Sequence, residues 1–247
     1  MKRVAVIQAR MGSTRLPGKT LMNVAGKPLL ELLIERLKRA KRIDEIVVAT
    51  TSNPEDAAIE EVCRHLQVGC FRGSSEDVLG RVSQALMQFE ADVHIEIHGD
   101  GPLLDWRVVD RAVEIFETGG YDLVTNALSV SYPPGLEVWV YSAALAHQVE
   151  KAAQEPRFRE SPALYLTLHP ERYRLHNFVA PAELTAPETY LEVDTDIDMT
   201  VIRETVESLY LKNPAFTTEE ILAWMAAHPE TATRNQLVER RWKKIAS

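Results

Sequence analysis

The chain has 247 residues, 45% hydrophobic and 26% charged, a balance that excludes a disordered, collagen-like or coiled-coil protein and suffices to bury a large core. Two cysteines, Cys63 and Cys70, exclude a disulfide scaffold, and a net charge of −8 argues against a binder of nucleic acid chains. The charge is uneven: residues 1–43 carry eleven Lys or Arg against Glu31 and Glu35, a surplus of +9, which leaves −17 on the remainder.

Arg3 to Ala9, rich in Val and Ile, reads as a strand buried on both faces. A Gly/Ser/Pro loop follows from Arg10 to Lys27. Pro28 then opens a helix with Leu29, Leu30, Leu33, Ile34 and Leu37 on one face and the basic run Arg36 to Arg42 on its solvated side. Glu45 to Thr51 is a second strand; Asn53 caps the next helix, with Pro54 at its first position. Further elements are a strand at 69–72, a helix at 77–89, a strand at 93–98, a helix at 106–117 and a strand at 122–127. Tyr132-Pro133-Pro134-Gly135 is a turn leading into the alternating strand 136–141. Helices at 143–155 and 161–169, strands at 175–179 and 190–193, helices at 198–211 and 218–227, and a polar helix over 233–247 complete the pattern. The β-α alternation with short links predicts a mostly parallel sheet covered on both faces. No apolar run reaches the roughly 18–20 residues of a membrane span, and Val4 to Ile7 is too short for a signal sequence. The expected location is therefore the cytoplasm, with both cysteines reduced and inert.

The most informative stretch is Gln8-Ala9-Arg10-Met11-Gly12-Ser13-Thr14-Arg15-Leu16-Pro17-Gly18-Lys19-Thr20. It follows the first strand, where an α/β sheet places its ligand crevice. Gly12 and Gly18 allow close backbone approach to an anion, and Arg10, Arg15 and Lys19 supply three cations. Five residues separate Gly12 from Gly18-Lys19-Thr20, one too many for a P-loop, and no Gly-x-Gly-x-x-Gly is present. Asp100, between Gly99 and Gly101 at the end of the fourth strand, can hold a divalent cation beside phosphates. Asp194-Thr195-Asp196-Ile197-Asp198 precedes a helix, where Asp196 or Asp198 suits the positive end. His94 and His98 share a strand face and read as structural or substrate-lining.

Val6 to Lys19 resembles the N-terminal signature of the sugar-acid cytidylyltransferases, which include the acylneuraminate and CMP-3-deoxy-manno-octulosonate synthetases. Gln8 and Met11 bring it closest to the spore coat polysaccharide biosynthesis protein F branch. Later blocks also match: Ala25-Gly26-Lys27-Pro28-Leu29, Phe71-Arg72-Gly73-Ser74, Asp77-Val78-Leu79, Gly99-Asp100 with Pro102-Leu103, and Gly135-Leu136 with Val138. The resemblance implies a nucleotide-diphospho-sugar transferase fold: a Rossmann-like three-layer α/β/α sandwich with a mixed, mostly parallel sheet and an inserted hairpin. Residues 1–212 would form the nucleotidyltransferase domain, and 213–247 a C-terminal helical extension packed on it or on a partner subunit.

The implied reaction transfers a cytidylyl group from CTP to an acidic sugar for surface polysaccharide synthesis. Arg10, Arg15 and Lys19 are then the catalytic cations, with Lys27 a further candidate. Ala9, Arg10, Gly12, Ser13, Lys19, Arg72, Ser74 and Asp77 would bind the nucleotide, Asp100 and Asp194 would hold Mg²⁺, and Glu137 would face the sugar. The implied partners are CTP and a small acidic sugar, with no nucleic acid chain and no membrane. A homodimer is expected, assembled through the hairpin that Gly135 to Tyr141 matches. Two departures, Ser161-Pro162-Ala163 where the family pattern has His-Val-Thr and Pro133-Pro134 where it has Pro-Asp, point to an unusual nonulosonic or deoxy sugar acid. Asp194-Thr195-Asp196 also has the form of a glycosyltransferase metal motif, which makes that activity the second reading; a non-catalytic nucleotide-binding protein is the third.

Overall fold

The structure is a computed structural model and describes residues 1–160, 162–240 and 242–243. The chain runs through β1 (Arg3–Gln8), the short ribbon β2 (Asn23–Val24) and β3 (Lys27–Pro28), α1 (Leu29–Leu37), β4 (Glu45–Thr51), α2 (Ala57–Leu66), β5 (Gly69–Gly73), α3 (Val78–Gln88) and β6 (Val93–His98). It continues through α4 (Trp106–Glu117), β7 (Leu123–Thr125), β8 (Trp139–Ser142), α5 (Ala143–Ala152), α6 (Pro162–Thr167), β9 (Leu175–Asn177), α7 (Asp196–Leu209), α8 (Thr218–Ala227) and α9 (Pro229–Ala232).

Seven strands form one sheet in the order β5-β4-β1-β6-β8-β7-β9. The first four are mutually parallel, β8 is antiparallel to both β6 and β7, and β9 is parallel to β7. Both faces are covered, which is why β1 and β4 are largely apolar rather than alternating, whereas β6 alternates Val93, Ile95 and Ile97 with His94, Glu96 and His98. In β1, Ala5 and Ile7 join the core shared with α1, α2, α4, α7 and α8, while Val4 and Val6 join the core under α3, α5 and α6. Each fully buried Val, Ile or Leu contributes about 1.5–3 kcal/mol. Helix starts follow their caps: Asp77 accepts from the Gly80 N–H at 2.8 Å and Asp105 from that of Arg107 at 2.9 Å. Thr195 with Asp198 and Thr217 with Glu220 form complete capping boxes.

The expected elements are present with several corrections. Asn53 makes no side-chain cap bond; Pro54–Asp56 is a 3-10 turn ahead of α2. Residues 190–193 do not join the sheet, because their N–H groups bond loop carbonyls: Leu191 to Pro134 at 2.7 Å and Val193 to Asp100 at 2.8 Å. Residues 233–238 form turns rather than the expected polar helix, and Arg241 and 244–247 lie outside the described residues. Arg36 does not sit on a solvated face. It is buried, donates to the Leu104 and Phe216 carbonyls at 3.0 Å each and stacks on Phe216 and Trp106. The β7–β8 pair is the inserted antiparallel hairpin, but it lies within the sheet. Leu136, Val138, Val140 and Tyr141 are fully buried within this chain.

Candidate active site

The chain leaves β1 toward β4 on one side and returns as β6 on the other, so the carboxyl ends of β1 and β6 flank a topological switch point. A cleft of about 310 Å³ opens there. Its floor is Gln8, Ala9, His98 and Gly99, stitched by the Gly99 N–H to the Gln8 carbonyl at 3.0 Å.

The loop after β1 is built by its own backbone. The Met11 carbonyl accepts from the Ser13 and Gly18 N–H groups, both at 2.9 Å, and Gly18 takes a left-handed φ of +76° that closes the turn into Lys19–Leu21. One anchor holds it to the body: the Met11 N–H donates to the buried Asp56 carboxylate at 2.6 Å, which also accepts from the Thr51 hydroxyl. The Thr20 hydroxyl, donating to the Arg10 carbonyl at 2.9 Å, ties the loop to itself. Asp56 escaped sequence reading because an Asp two residues after Pro54 looks like any helix-start acid.

Arg15 and Lys19 meet the two expected acids. The Lys19 ammonium lies 3.0 Å from Asp194 and 3.6 Å from Asp100 and donates to the Val193 carbonyl; Arg15 pairs with the other Asp194 oxygen at 2.5 Å. Ala9, Arg10, Ser13, Arg15, Lys19, Asp100 and Asp194 all line the cleft. Gly12, Arg72, Ser74, Asp77 and Glu137 do not. Arg72 braces the β4 end, donating to the Thr51 and Asn53 carbonyls and pairing with Glu60 at 3.1 Å. Ser74 accepts from the Glu76 and Asp77 N–H groups, and Asp77 caps α3 while pairing with Arg159. Lys27 is held by Glu31 and Glu35, at 2.5 and 2.6 Å, outside the cleft lining. Of the expected acids after residue 194, exposed Asp196 lies outside the cleft lining and Asp198 is a buried helix cap.

Arg81, Val78 and Glu160 complete the α3 side of the cleft. Arg81 is buried, and desolvation together with the like charge of Arg10 pulls its guanidinium down to about 10. Its only sequence signal is a position one helical turn after the Asp77 cap.

His94, Glu96 and His98 lie on one strand face. His94 is fully buried against Tyr141, and desolvation lowers its imidazole to about 4, so it is neutral. Burial raises the Glu96 carboxyl, but His98, His94 and Tyr141 outweigh it and hold it below its ordinary value. The carboxylate accepts from the Tyr141 hydroxyl at 2.6 Å and the Gln8 amide at 2.9 Å, and lies 3.5 Å from His98. Desolvation would lower the His98 imidazole; Glu96, with the charges of Asp100 and Glu137, raises it instead to about 9. Glu137 accepts from the Gly135 N–H at 2.8 Å, and burial raises its carboxyl. Glu192, 7% exposed, is pushed up to about 8 by desolvation and then by Glu137 and Asp100. Of these three acids only Asp100 lines the cleft, where it meets Lys19.

Cations from a glycine-turned loop facing Asp100 at the end of β6 and Asp194 in the loop before α7, at the switch point of a mostly parallel sheet, define a nucleotide-handling α/β transferase. The cytidylyltransferase family model matches residues 4–221, and the chain belongs to that family. It is 32% identical over 241 residues to the spore coat polysaccharide biosynthesis protein SpsF of Bacillus subtilis (strain 168), covering 94% of this chain and 97% of that one. It superposes with a TM-score of 0.90, at 26% identity, on a cytidylyltransferase from Leptospira borgpetersenii serovar Hardjo-bovis (strain JB197), covering 97% of this chain and all of that one. It shares its fold with CMP:2-keto-3-deoxy-manno-octonic acid synthetase complexed with CTP, at a TM-score of 0.65 and 20% identity over 84% of this chain and 99% of that one.

Proposed function

We propose that the protein transfers a cytidylyl group from CTP to a hydroxyl of an acidic sugar, giving a CMP-sugar for surface polysaccharide and releasing pyrophosphate. The observation that carries this is the Lys19 ammonium lying between Asp100 and Asp194 at the mouth of the β1 loop, with Arg15 on the same Asp194. The acceptor oxygen attacks the α-phosphorus, the bond to the oxygen bridging the β-phosphate breaks, and the hydroxyl proton passes to water. Arg10, Arg15 and Lys19 neutralise the triphosphate and the charge that grows on the leaving pyrophosphate. Ala9 and Ser13, both lining the cleft, border the phosphates, and Gly12 gives the loop its turn. Arg72, Ser74 and Asp77 hold the loop that flanks the base and ribose, and Glu137 stands on the sugar side.

Asp100 and Asp194 fit a hard divalent cation: both are oxygen donors and both already attract one cation, Lys19. Two carboxylates would be enough for Mg²⁺, an ion that completes its shell with water and substrate phosphates. Bound there, Mg²⁺ supplies charge neutralisation at the α-phosphate and lowers the pKa of the attacking hydroxyl.

A pyrophosphate-release screen tests the reading. Each nucleoside triphosphate is paired with sugar acids and neutral sugars, with and without Mg²⁺. Release requiring CTP, a sugar acid and Mg²⁺ is expected. Release of a nucleoside diphosphate from a sugar nucleotide, without pyrophosphate, would replace this reading with a glycosyltransferase. Light scattering at micromolar protein tests the homodimer the family resemblance implies; a monomer excludes it.

A further inference from the structure

Residues 235–240 pack beside the Asp194 loop without lining the cleft. Asn235 and Arg240 are only 1% and 2% exposed. Both donate to one oxygen of Asp198, Asn235 at 2.9 Å and Arg240 at 2.7 Å. The other Asp198 oxygen accepts the backbone N–H groups of Asp194 at 3.1 Å and Thr195 at 2.9 Å. A single buried carboxylate therefore joins the tail to the peptide that carries Asp194. A second connection comes through Arg15, which pairs with Asp194 and donates to the Glu239 carbonyl at 3.3 Å. A third holds Glu192, 3.3 Å from Arg240 and hydrogen-bonded to the Trp242 indole at 3.0 Å.

Helix capping does not account for this. The cap of α7 uses the Thr195 hydroxyl and one oxygen of Asp198, and a neutral side chain caps as well. Burying a guanidinium against the second oxygen costs several kcal/mol of desolvation, and apolar packing would give stability more cheaply. What the ion pair adds is a fixed direction for the Asp198 carboxylate, and hence for the Asp194 peptide bonded to it.

We propose that Arg240 and Asn235 are positioning residues for nucleotidyl transfer: through Asp198 they orient Asp194, and with it the divalent cation that accompanies CTP. This rests on the reading of Asp194 as a cation-holding carboxylate. Residues one step behind a metal ligand are typically worth 10–100-fold in metal affinity, and that is the effect expected here.

The test measures CTP binding by calorimetry in EDTA and in Mn²⁺, with Mn²⁺ binding followed by electron paramagnetic resonance. It uses the full-length protein and its Arg240→Met, Arg240→Lys, Asn235→Ala and Asp194→Asn variants. Mn²⁺ is expected to tighten CTP binding to the wild type. In Arg240→Met that gain falls at least about 10-fold while affinity in EDTA stays within about 2-fold, and Arg240→Lys recovers part of it. Asn235→Ala shifts the same quantity in the same direction by less. An Arg240→Met protein that melts earlier but keeps the full Mn²⁺ gain makes the tail a structural strap and overturns the proposal. Should that variant fail to melt cooperatively, an unchanged gain in Asn235→Ala overturns it. Absence of any gain in the wild type, or its persistence in Asp194→Asn, removes the cation reading itself and the proposal with it.

Discussion

Truncating Lys19 to Ala removes the ammonium 3.0 Å from Asp194 and 3.6 Å from Asp100. The Lys19, Asp194 and Asp100 side chains are 14%, 11% and 33% exposed, so the cluster lies between a surface pair and a buried one. Surface pairs contribute about 0–1 kcal/mol and breaking a buried pair costs about 3–5 kcal/mol, which sets the loss here at about 2 kcal/mol. In a chain of this size 1 kcal/mol moves the melting temperature by about 2–4 °C, so Lys19→Ala melts about 4–8 °C lower without divalent cation. The deletion leaves Asp100 facing Asp194 with Arg15 as the remaining cation on Asp194, so adding Mg²⁺ restores most of the difference. Turnover does not recover, because the donor to the developing pyrophosphate charge is gone; the loss is about 10²–10³-fold. Calorimetric melting with and without Mg²⁺, together with pyrophosphate release at saturating CTP, measures both effects. Turnover within about 2-fold of wild type, or a melting temperature unchanged in both buffers, would refute the reasoning.

Three other outcomes follow from the same geometry. Glu192, ordinarily near 4.5, is pushed up to about 8, so folding takes up a proton and stability falls as pH rises from 4.5, levelling off above 8. Glu192→Gln flattens that fall, and parallel melting-temperature profiles for the two proteins between these values would exclude it. Gly135 has a φ of +104°, and a Cβ there would sit 2.6 Å from the Glu192 nitrogen and the Leu191 carbonyl carbon. Gly135→Ala therefore destabilises by at least about 3 kcal/mol, and a variant melting like wild type contradicts the packing. Asp56→Ala leaves the Met11 N–H without its acceptor, which costs about 1–3 kcal/mol and raises KM for CTP more than it lowers kcat. An unchanged KM would show that Asp56 does not position the loop.

The sheet was legible because its code is local. Runs of Val and Ile bounded by turns and caps gave β1 and β4, alternation gave β6, and the helix at 106–117 and the one at 218–227 matched residue for residue. The same signal failed at 190–193, where the residue types are those of a strand but the Leu191 and Val193 N–H groups bond the carbonyls of Pro134, in the turn at Gly135, and of Asp100, after β6. The cationic loop and Asp100 were also legible, since a Gly-bounded loop after β1 and an Asp after β6 fall at the sheet's carboxyl edge whatever the rest of the chain does.

The sequence by itself determined the alternation of elements, the place of the crevice and the chemical types gathered near it. Only the tertiary structure decided which charges face the cleft and which are held elsewhere. Lys27, Arg72 and Asp77 look as suited to a ligand as Lys19, yet none of the three lines the cleft: Lys27 and Arg72 are paired with carboxylates outside it and Asp77 with the Arg159 guanidinium 82 residues away. Lys19 meets Asp194 across 175 residues, and Arg240 reaches Asp198 across 42. Propensity and periodicity act over a few residues, whereas the partner of a charge is fixed by where the packed sheet sets its neighbours.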